Sequence, residues 1–312
     1  MADTSGQKET KKETKASADK TEAVTEKSEE AAAVKTTETA EETEAAKACY
    51  VVGDIVNVND QKIVYMSSGV LENDDSYSKP KDGYQRVFIE LYVEQLKGSG
   101  GITAFDFECY ADGYAADQYY GGPDGLSGSL TEGRYTTGKI YFSVPVDASE
   151  VEFEYEYNFI SDKKIKFLYE GQKDSGYIIE KKKEASENTF APGDVVETKN
   201  YRISYLSCGS FESEVRYIKP DEGYHFICFE FEFENISNDD HSVSSMLFEC
   251  FADGAHCSST SARDDDLSAT LSAGRKTKGT VAFEVPDDAE TIELEFQDSL
   301  FSDKRIIFSF HE

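Results

Sequence analysis

Apolar and polar positions alternate with a period of two through most of the chain. Val87, Ile89, Leu91 and Val93 are each separated by one residue, and Ile227, Phe229, Phe231 and Phe233 alternate with residues that include Glu230 and Glu232. Such alternation predicts strands with one packed and one wet face. Val151, Phe153, Tyr155 and Tyr157 interleave with Glu152, Glu154 and Glu156, and Ile292, Leu294 and Phe296 repeat the arrangement. The rows of Glu read as a solvated sheet face whose like charges discourage edge-to-edge pairing. Seven or eight short strands are expected in the first half of the pattern, near 54–58, 61–69, 84–94, 102–111, 126–131, 137–144, 150–157 and 163–169. With no long helical period among them, they predict an antiparallel β-sandwich of the immunoglobulin type.

The pattern occurs twice. Gly53-Asp54-Ile55-Val56 returns as Gly193-Asp194-Val195-Val196, and Lys79-Pro80 with Gly83-Tyr84 returns as Lys219-Pro220 with Gly223-Tyr224. FECYADG at 107–113 matches FECFADG at 248–254 after one residue has entered a loop between Glu94 and Phe105, and residues 126–148 match 267–289 at 12 of 23 positions. The reading is an all-β chain of two tandem sandwiches, 48–170 and 190–312, joined by a polar linker over 171–189. Residues 1–47 contain no aromatic residue, Leu or Ile; their 12 acidic and 8 basic side chains leave −4. Too little apolar surface can be buried there to offset ordering, so a disordered acidic stalk is expected.

Charge narrows the partners. The 62 acidic and 32 basic residues of the 312-residue chain give −30, which repels nucleic acid and anionic lipid. No apolar run approaches the roughly 20 residues of a membrane-crossing helix.

The order Lys-Pro-x-x-Gly-Tyr, FECYADG, Leu-Ser-x-x-Leu-x-x-Gly-Arg, Gly-x-x-x-Phe-x-Val-Pro and Ser-Asp-Lys, present in the first copy and closely matched in the second, resembles an uncharacterised immunoglobulin-like domain family. That family occurs in exported lipoproteins of Gram-positive bacteria and is related to a mycobacterial secreted antigen. The resemblance implies an extracellular or surface-tethered sandwich, with no catalytic residues, attached to membrane only through a lipid anchor. The chain opens on Met1-Ala2-Asp3-Thr4 without an apolar signal segment or anchoring Cys, which read literally would make the protein cytosolic; the expectation drawn from the resemblance is a trimmed or mature form.

Six cysteines suit an exported protein. The candidate bridges are Cys250 with Cys257 across the Ala-Asp-Gly turn, Cys49 with Cys109, and Cys208 with Cys228; the alternative is six buried thiols. Cys250, Asp253, His256 and Cys257 match no common zinc spacing. The four histidines, His225, His241, His256 and His311, lie in or at the end of the second copy and mark no nucleophile–base set. Asp264, Asp265 and Asp266, with Asp253, are a weak Ca²⁺ candidate lacking ordered ligand spacing. Tyr114, Tyr119 and Tyr120, in a glycine-bearing loop, are the candidate binding residues, since clustered Tyr offers rigid contact area. No cofactor is expected. The leading expectation is a monomeric, non-enzymatic surface module for an unknown protein or glycan. A small-ligand or glycan module using the Tyr114–Tyr120 loop comes second, weakened by the absence of Trp, and an enzyme third.

Overall fold

The structure, a computed structural model, describes residues 49–72, 79–158, 163–182, 186–213, 215–297 and 305–310. The expected stalk lies outside these residues. In the first copy the strands are β1 (Ile55–Val58), β2 (Gln61–Val70), β3 (Tyr84–Gln95), β4 (Ser99–Thr103), β5 (Phe107–Ala111), β6 (Tyr114–Ala115), β7 (Asp117–Tyr119), β8 (Ser127–Thr131), β9 (Tyr135–Pro145), β10 (Val151–Asn158) and β11 (Lys163–Leu168), with β12 (Lys173–Asp174) in the connecting segment. The second copy has β13 (Val195–Glu197), β14 (Tyr201–Phe211), β15 (Tyr224–Asn235), β16 (His241–Ser244), β17 (Phe248–Ala252), β18 (Ala255–Cys257), β19 (Ser268–Leu271), β20 (Lys276–Pro286), β21 (Ile292–Phe296) and β22 (Ile306–Phe310).

Each copy is a sandwich. In the first, β1-β2-β3-β9 packs against β11-β10-β5-β6; in the second, β13-β14-β15-β20 packs against β18-β17-β21-β22. The alternation sorts the side chains as expected: Val87, Ile89, Leu91 and Val93 meet Phe107, Phe153 and Phe167 in one core. The second core is more aromatic, with Phe231 stacked on Phe248 at 5.3 Å and set edge-on to Phe308 at 4.8 Å.

The expected strand over 102–111 is two strands separated by a 3₁₀ turn, Ala104–Asp106. Thr103 and Asp106 cap each other: the Thr103 hydroxyl accepts from the Phe105 N–H at 3.3 Å, and Asp106 accepts from the Thr103 N–H at 2.6 Å. This reciprocal capping lifts the chain off the ladder and leaves Phe105 exposed.

The repeated motifs have local causes. Asp112 and Gly113 have φ of 49° and 80°, and Asp253 and Gly254 have 48° and 84°. Two successive left-handed residues are what a tight two-residue hairpin requires. The same aspartates tie the hairpin to a distant turn: Asp112 accepts from the Ser149 and Glu150 N–H groups, and Asp253 from those of Glu290 and Thr291. Gly279 is needed because a Cβ there would lie 2.8 Å from the Leu267 Cα, and Gly138 meets Leu126 in the same way.

The two sandwiches are joined edge to edge. The Tyr135 N–H of β9 donates to the Gly254 carbonyl at 3.1 Å beside the parallel Tyr135–Ala255 pair of β9 and β18, producing a ten-stranded sheet through both copies. Around this seam the expected solvated row of Glu is overturned in the second copy. Glu293 and Glu295 are only 2% and 3% exposed. Arg134, from the first copy, reaches Glu293 at 2.6 Å and Glu295 at 2.9 Å, with its guanidinium carbon 4.7 Å from the centre of the Phe251 ring. Arg305 bonds Glu295 at 2.9 Å, and the Ser186 N–H donates to Glu293 at 2.6 Å. Buried carboxylates persist only when paired and hydrogen-bonded, which these are. The connecting segment takes part: Lys182 pairs with Glu94 at 2.7 Å while its N–H donates to the Asp253 carbonyl at 2.8 Å.

Candidate functional site

The three tyrosines expected to form one patch go to three places. Tyr114, on the exposed hairpin edge β6, stands 80% exposed and, with Tyr84, lines a cavity of about 390 Å³ that also holds Asp112, Asp117 and Asp147. Tyr119 lies on β7 opposite Tyr141, its ring covered by the Arg86 guanidinium at 3.4 Å. Tyr120 stacks on Phe105, ring centres 5.0 Å apart and planes 28° apart. The sequence reading missed Phe105. Its signal was the Thr103–Asp106 spacing, which predicts a capped turn that ejects the intervening side chains. Met246 occupies the matching position of the second copy.

Between the sandwiches lies a cleft of about 750 Å³. One wall carries Thr103, Asp106, Ser127 and Ser129, and the other carries Met246, Glu249, His256 and Cys257. His256 Nε2 is 2.9 Å from a Glu249 carboxylate oxygen. Asp266 also lines the cleft, and burial raises its pKa, with neighbouring Asp265 adding to the shift.

The candidate Ca²⁺ ligands are not gathered. Arg263 clasps Asp265 through two bonds of 2.7 and 2.8 Å, and Thr280 donates to it at 2.8 Å. These partners hold the Asp265 carboxyl down to about 2, the Arg263 hydrogen bond contributing most. Asp253 serves the β17–β18 turn instead. Among the described residues no group of three or more His, Cys, Asp or Glu is arranged to hold a metal ion.

All six cysteines are free thiols. Two of the candidate bridges are excluded by placement. Cys208 stands opposite Phe229 while Cys228 stands opposite Gly209, so alternation points the two thiols to opposite faces of the sheet. Cys49 precedes Tyr50, which pairs with Phe167 of β11, whereas Cys109 lies on β5 beyond β10. Three inter-strand spacings, roughly 14 Å, separate them, well beyond disulfide reach. Burial pushes the Cys109 thiol up to about 12. The third pair is brought together: Cys250 and Cys257 face each other directly across β17 and β18, both buried.

No curated protein matches the chain. Among solved structures, the Bacillus subtilis protein ycdA, described provisionally as a lipoprotein, matches at 17% identity with a TM-score of 0.33 over 38% of either chain, so the match spans less than half of that protein. The yjhA protein of the same organism matches at 15% identity and a TM-score of 0.31, over 38% of this chain and 98% of that one. The secreted protein MPT63 of Mycobacterium tuberculosis matches at 16% identity and a TM-score of 0.32, over 39% and 97%. Residues 50–165 and 190–306 each match a single family model, and the chain accordingly belongs to the family described as Domain of unknown function (DUF4352), in two tandem copies.

Proposed function

We propose that the chain is a non-enzymatic interaction module displayed outside the cell, and that it holds a protein partner on the surface around Phe105 and Tyr120. The stacked pair carries this reading. Phe105 is 74% and Tyr120 62% exposed, so two large rings already arranged against each other stand in water. Such rings supply contact area at low ordering cost, as interface anchors do. Met246, 81% exposed at the matching turn of the second copy, adds an apolar side chain on the rim of the cleft. The joint between the copies supports the same reading, because Tyr120 follows β7 and Met246 shortly precedes β17, two strands of the one continuous sheet, which holds their spacing. The groups with catalytic potential favour it too. His225 is bonded to Asp287, His241 packs edge-on against Tyr201, and alternation along β18 points Cys257 away from His256. Display outside the cell rests on the residue-level resemblance and on the composition of residues 1–47. Among the described residues no helix is long and apolar enough to cross a membrane.

A peptide display library selected on the full chain tests the proposal. Enriched peptides should bind the Phe105→Ala/Tyr120→Ala variant at least tenfold more weakly, with its circular dichroism unchanged because both side chains are exposed. Equal binding to the variant, or no enrichment at all, would sink the reading. A small-ligand or glycan module is the second reading, favoured by the cavity between Tyr84 and Tyr114. It requires a thermal shift with some member of a glycan panel: about 2.7 kcal/mol at 100 times the dissociation constant.

A further inference from the structure

We infer that Cys250 and Cys257 form a redox-active dithiol, entered through the cleft between the sandwiches, whose oxidation fastens the hairpin on which the two copies join. This inference is independent of the partner reading above. The register places the two residues opposite each other in an antiparallel pair. Directly opposed residues have α-carbons about 4.5 or 5.5 Å apart according to the pair type, and both values fall in the range a disulfide spans. A bond can therefore form without moving a strand. In the reduced form the Cys257 thiol donates to the Ala255 carbonyl at 3.6 Å.

Their surroundings differ in a way that sets the order of reaction. Cys257, buried but still 5% exposed, borders the 750 Å³ cleft, while Cys250 is wholly buried behind it. Burial raises the Cys250 pKa well above that of a free thiol, and contact with Cys257 adds to the effect. Cys257 is thus the entering thiol and Cys250 the resolving one. The reagent is a small disulfide such as oxidised glutathione. The Cys257 thiolate attacks one of its sulfurs, forming a mixed disulfide and releasing one thiolate, which takes up a proton. Cys250 then loses its proton to water and attacks the Cys257 sulfur, releasing the second thiol. Two protein thiols are oxidised, and the reagent disulfide is reduced to two thiols.

The site belongs to the second copy alone. In the first copy Ala116 stands where Cys257 would be, and its N–H donates to the Cys109 carbonyl at 2.9 Å. Alanine is therefore compatible with this place in the fold. The location also gives oxidation a consequence. β18 carries the Ala255–Tyr135 pair, which among the described residues is the one strand pairing between the sandwiches, so a bond across β17 and β18 holds the seam strand to its own sheet.

The experiment equilibrates the full chain with graded ratios of reduced to oxidised glutathione, alkylates the remaining thiols and maps the peptides by mass spectrometry. Oxidising ratios should yield one linked peptide pair, Cys250 with Cys257, and a loss of two hydrogen atoms from the intact mass, with the other four cysteines alkylated. Cys250→Ala should stop at a glutathione adduct on Cys257, and Cys257→Ala should acquire none at Cys250. The oxidised protein should melt several degrees higher than the reduced protein. Absence of the link at every ratio, a link from either residue to a different cysteine, or a glutathione adduct on Cys250 in Cys257→Ala would overturn the inference.

Discussion

Strands β10 and β21 occupy the same place in their copies and carry the same alternation of apolar side chains with glutamates, yet they end in opposite surroundings. On β10, Glu152, Glu154 and Glu156 stay near the surface and are met by Lys164 and Lys166 of the adjacent β11, at 3.1 to 3.9 Å. On β21, Glu293 and Glu295 lie beneath the other sandwich. The register shows why. Glu154 stands opposite Lys166, whereas Glu295 stands opposite Ile307. Exchanging Lys166 for Ile307 removes one of the two cations the first copy places beside this strand, leaving Arg305 at 2.9 Å from Glu295, and Arg134 of the first copy supplies the second charge, reaching both Glu293 and Glu295. A row of like charges therefore says little about exposure until the strand beside it has been read.

The Gly-Arg motif completes the contrast, since Arg134 is driven into the seam while its counterpart Arg275 is exposed. Arg134→Ala should leave Glu293 and Glu295 buried and undercompensated. Removing one partner from a buried ion pair costs about 3–5 kcal/mol, which lowers the melting temperature of a chain this size by on the order of ten degrees. Arg275→Ala should stay within about 0.5 kcal/mol of the parent. Calorimetry on the two variants decides the matter. Equal shifts would mean that the seam contributes nothing beyond an ordinary surface position.

Much of this architecture was legible in the sequence. Alternation located both cores, because a period of two leaves little choice of face once one side is apolar. The matching Gly-Asp, Ala-Asp-Gly and Gly-Arg motifs located the copies, because each meets a local backbone demand. The joint was not legible. It depends on how two separately folded surfaces meet, and its clues were single departures from the repeat: Ile307 in place of Lys166, and Ala255 in place of Tyr114. The candidate site fared less well for a related reason. Tyr114, Tyr119 and Tyr120 are close in sequence, but β6 and β7 join different sheets, and strand alternation then turns Tyr119 onto Arg86. Phe105, the ring that Tyr120 meets, lies outside that loop and was hidden in what read as a continuous strand.

The paired turn aspartates sharpen the comparison with a smaller effect. Asp253 is buried and accepts from Glu290 N–H, Thr291 N–H and the Thr291 hydroxyl at 2.9 to 3.2 Å, with the Lys181 ammonium 4.0 Å away. Asp112 makes the equivalent bonds at the surface. Donors stranded away from water cost about 1–3 kcal/mol, whereas exposed ones are rehydrated. Asp253→Ala should therefore shift the urea midpoint clearly more than Asp112→Ala does. The reverse order would show that burial is not what separates the copies at this turn.

The smallest expected difference lies at Asp265 and its counterpart Asp124. In the first copy Asp124 meets Lys139 at 2.9 Å, whereas in the second Asp265 is gripped by Arg263 and Thr280. Its carboxyl is held down to about 2, against about 3.9 in an unfolded chain. A depressed acid pKa adds stability that is complete above the unfolded value and is lost as the pH falls through the folded one. The group is half exposed, so solvent screening keeps the contribution to about 1 kcal/mol or less. The melting temperatures of the parent and Asp265→Asn should accordingly differ slightly at pH 5 and converge between pH 4 and pH 2. A gap that stays constant across that window would mean that Asp265 acts through hydrogen bonds its amide can also make. The two copies would then differ at this turn in shape rather than in charge.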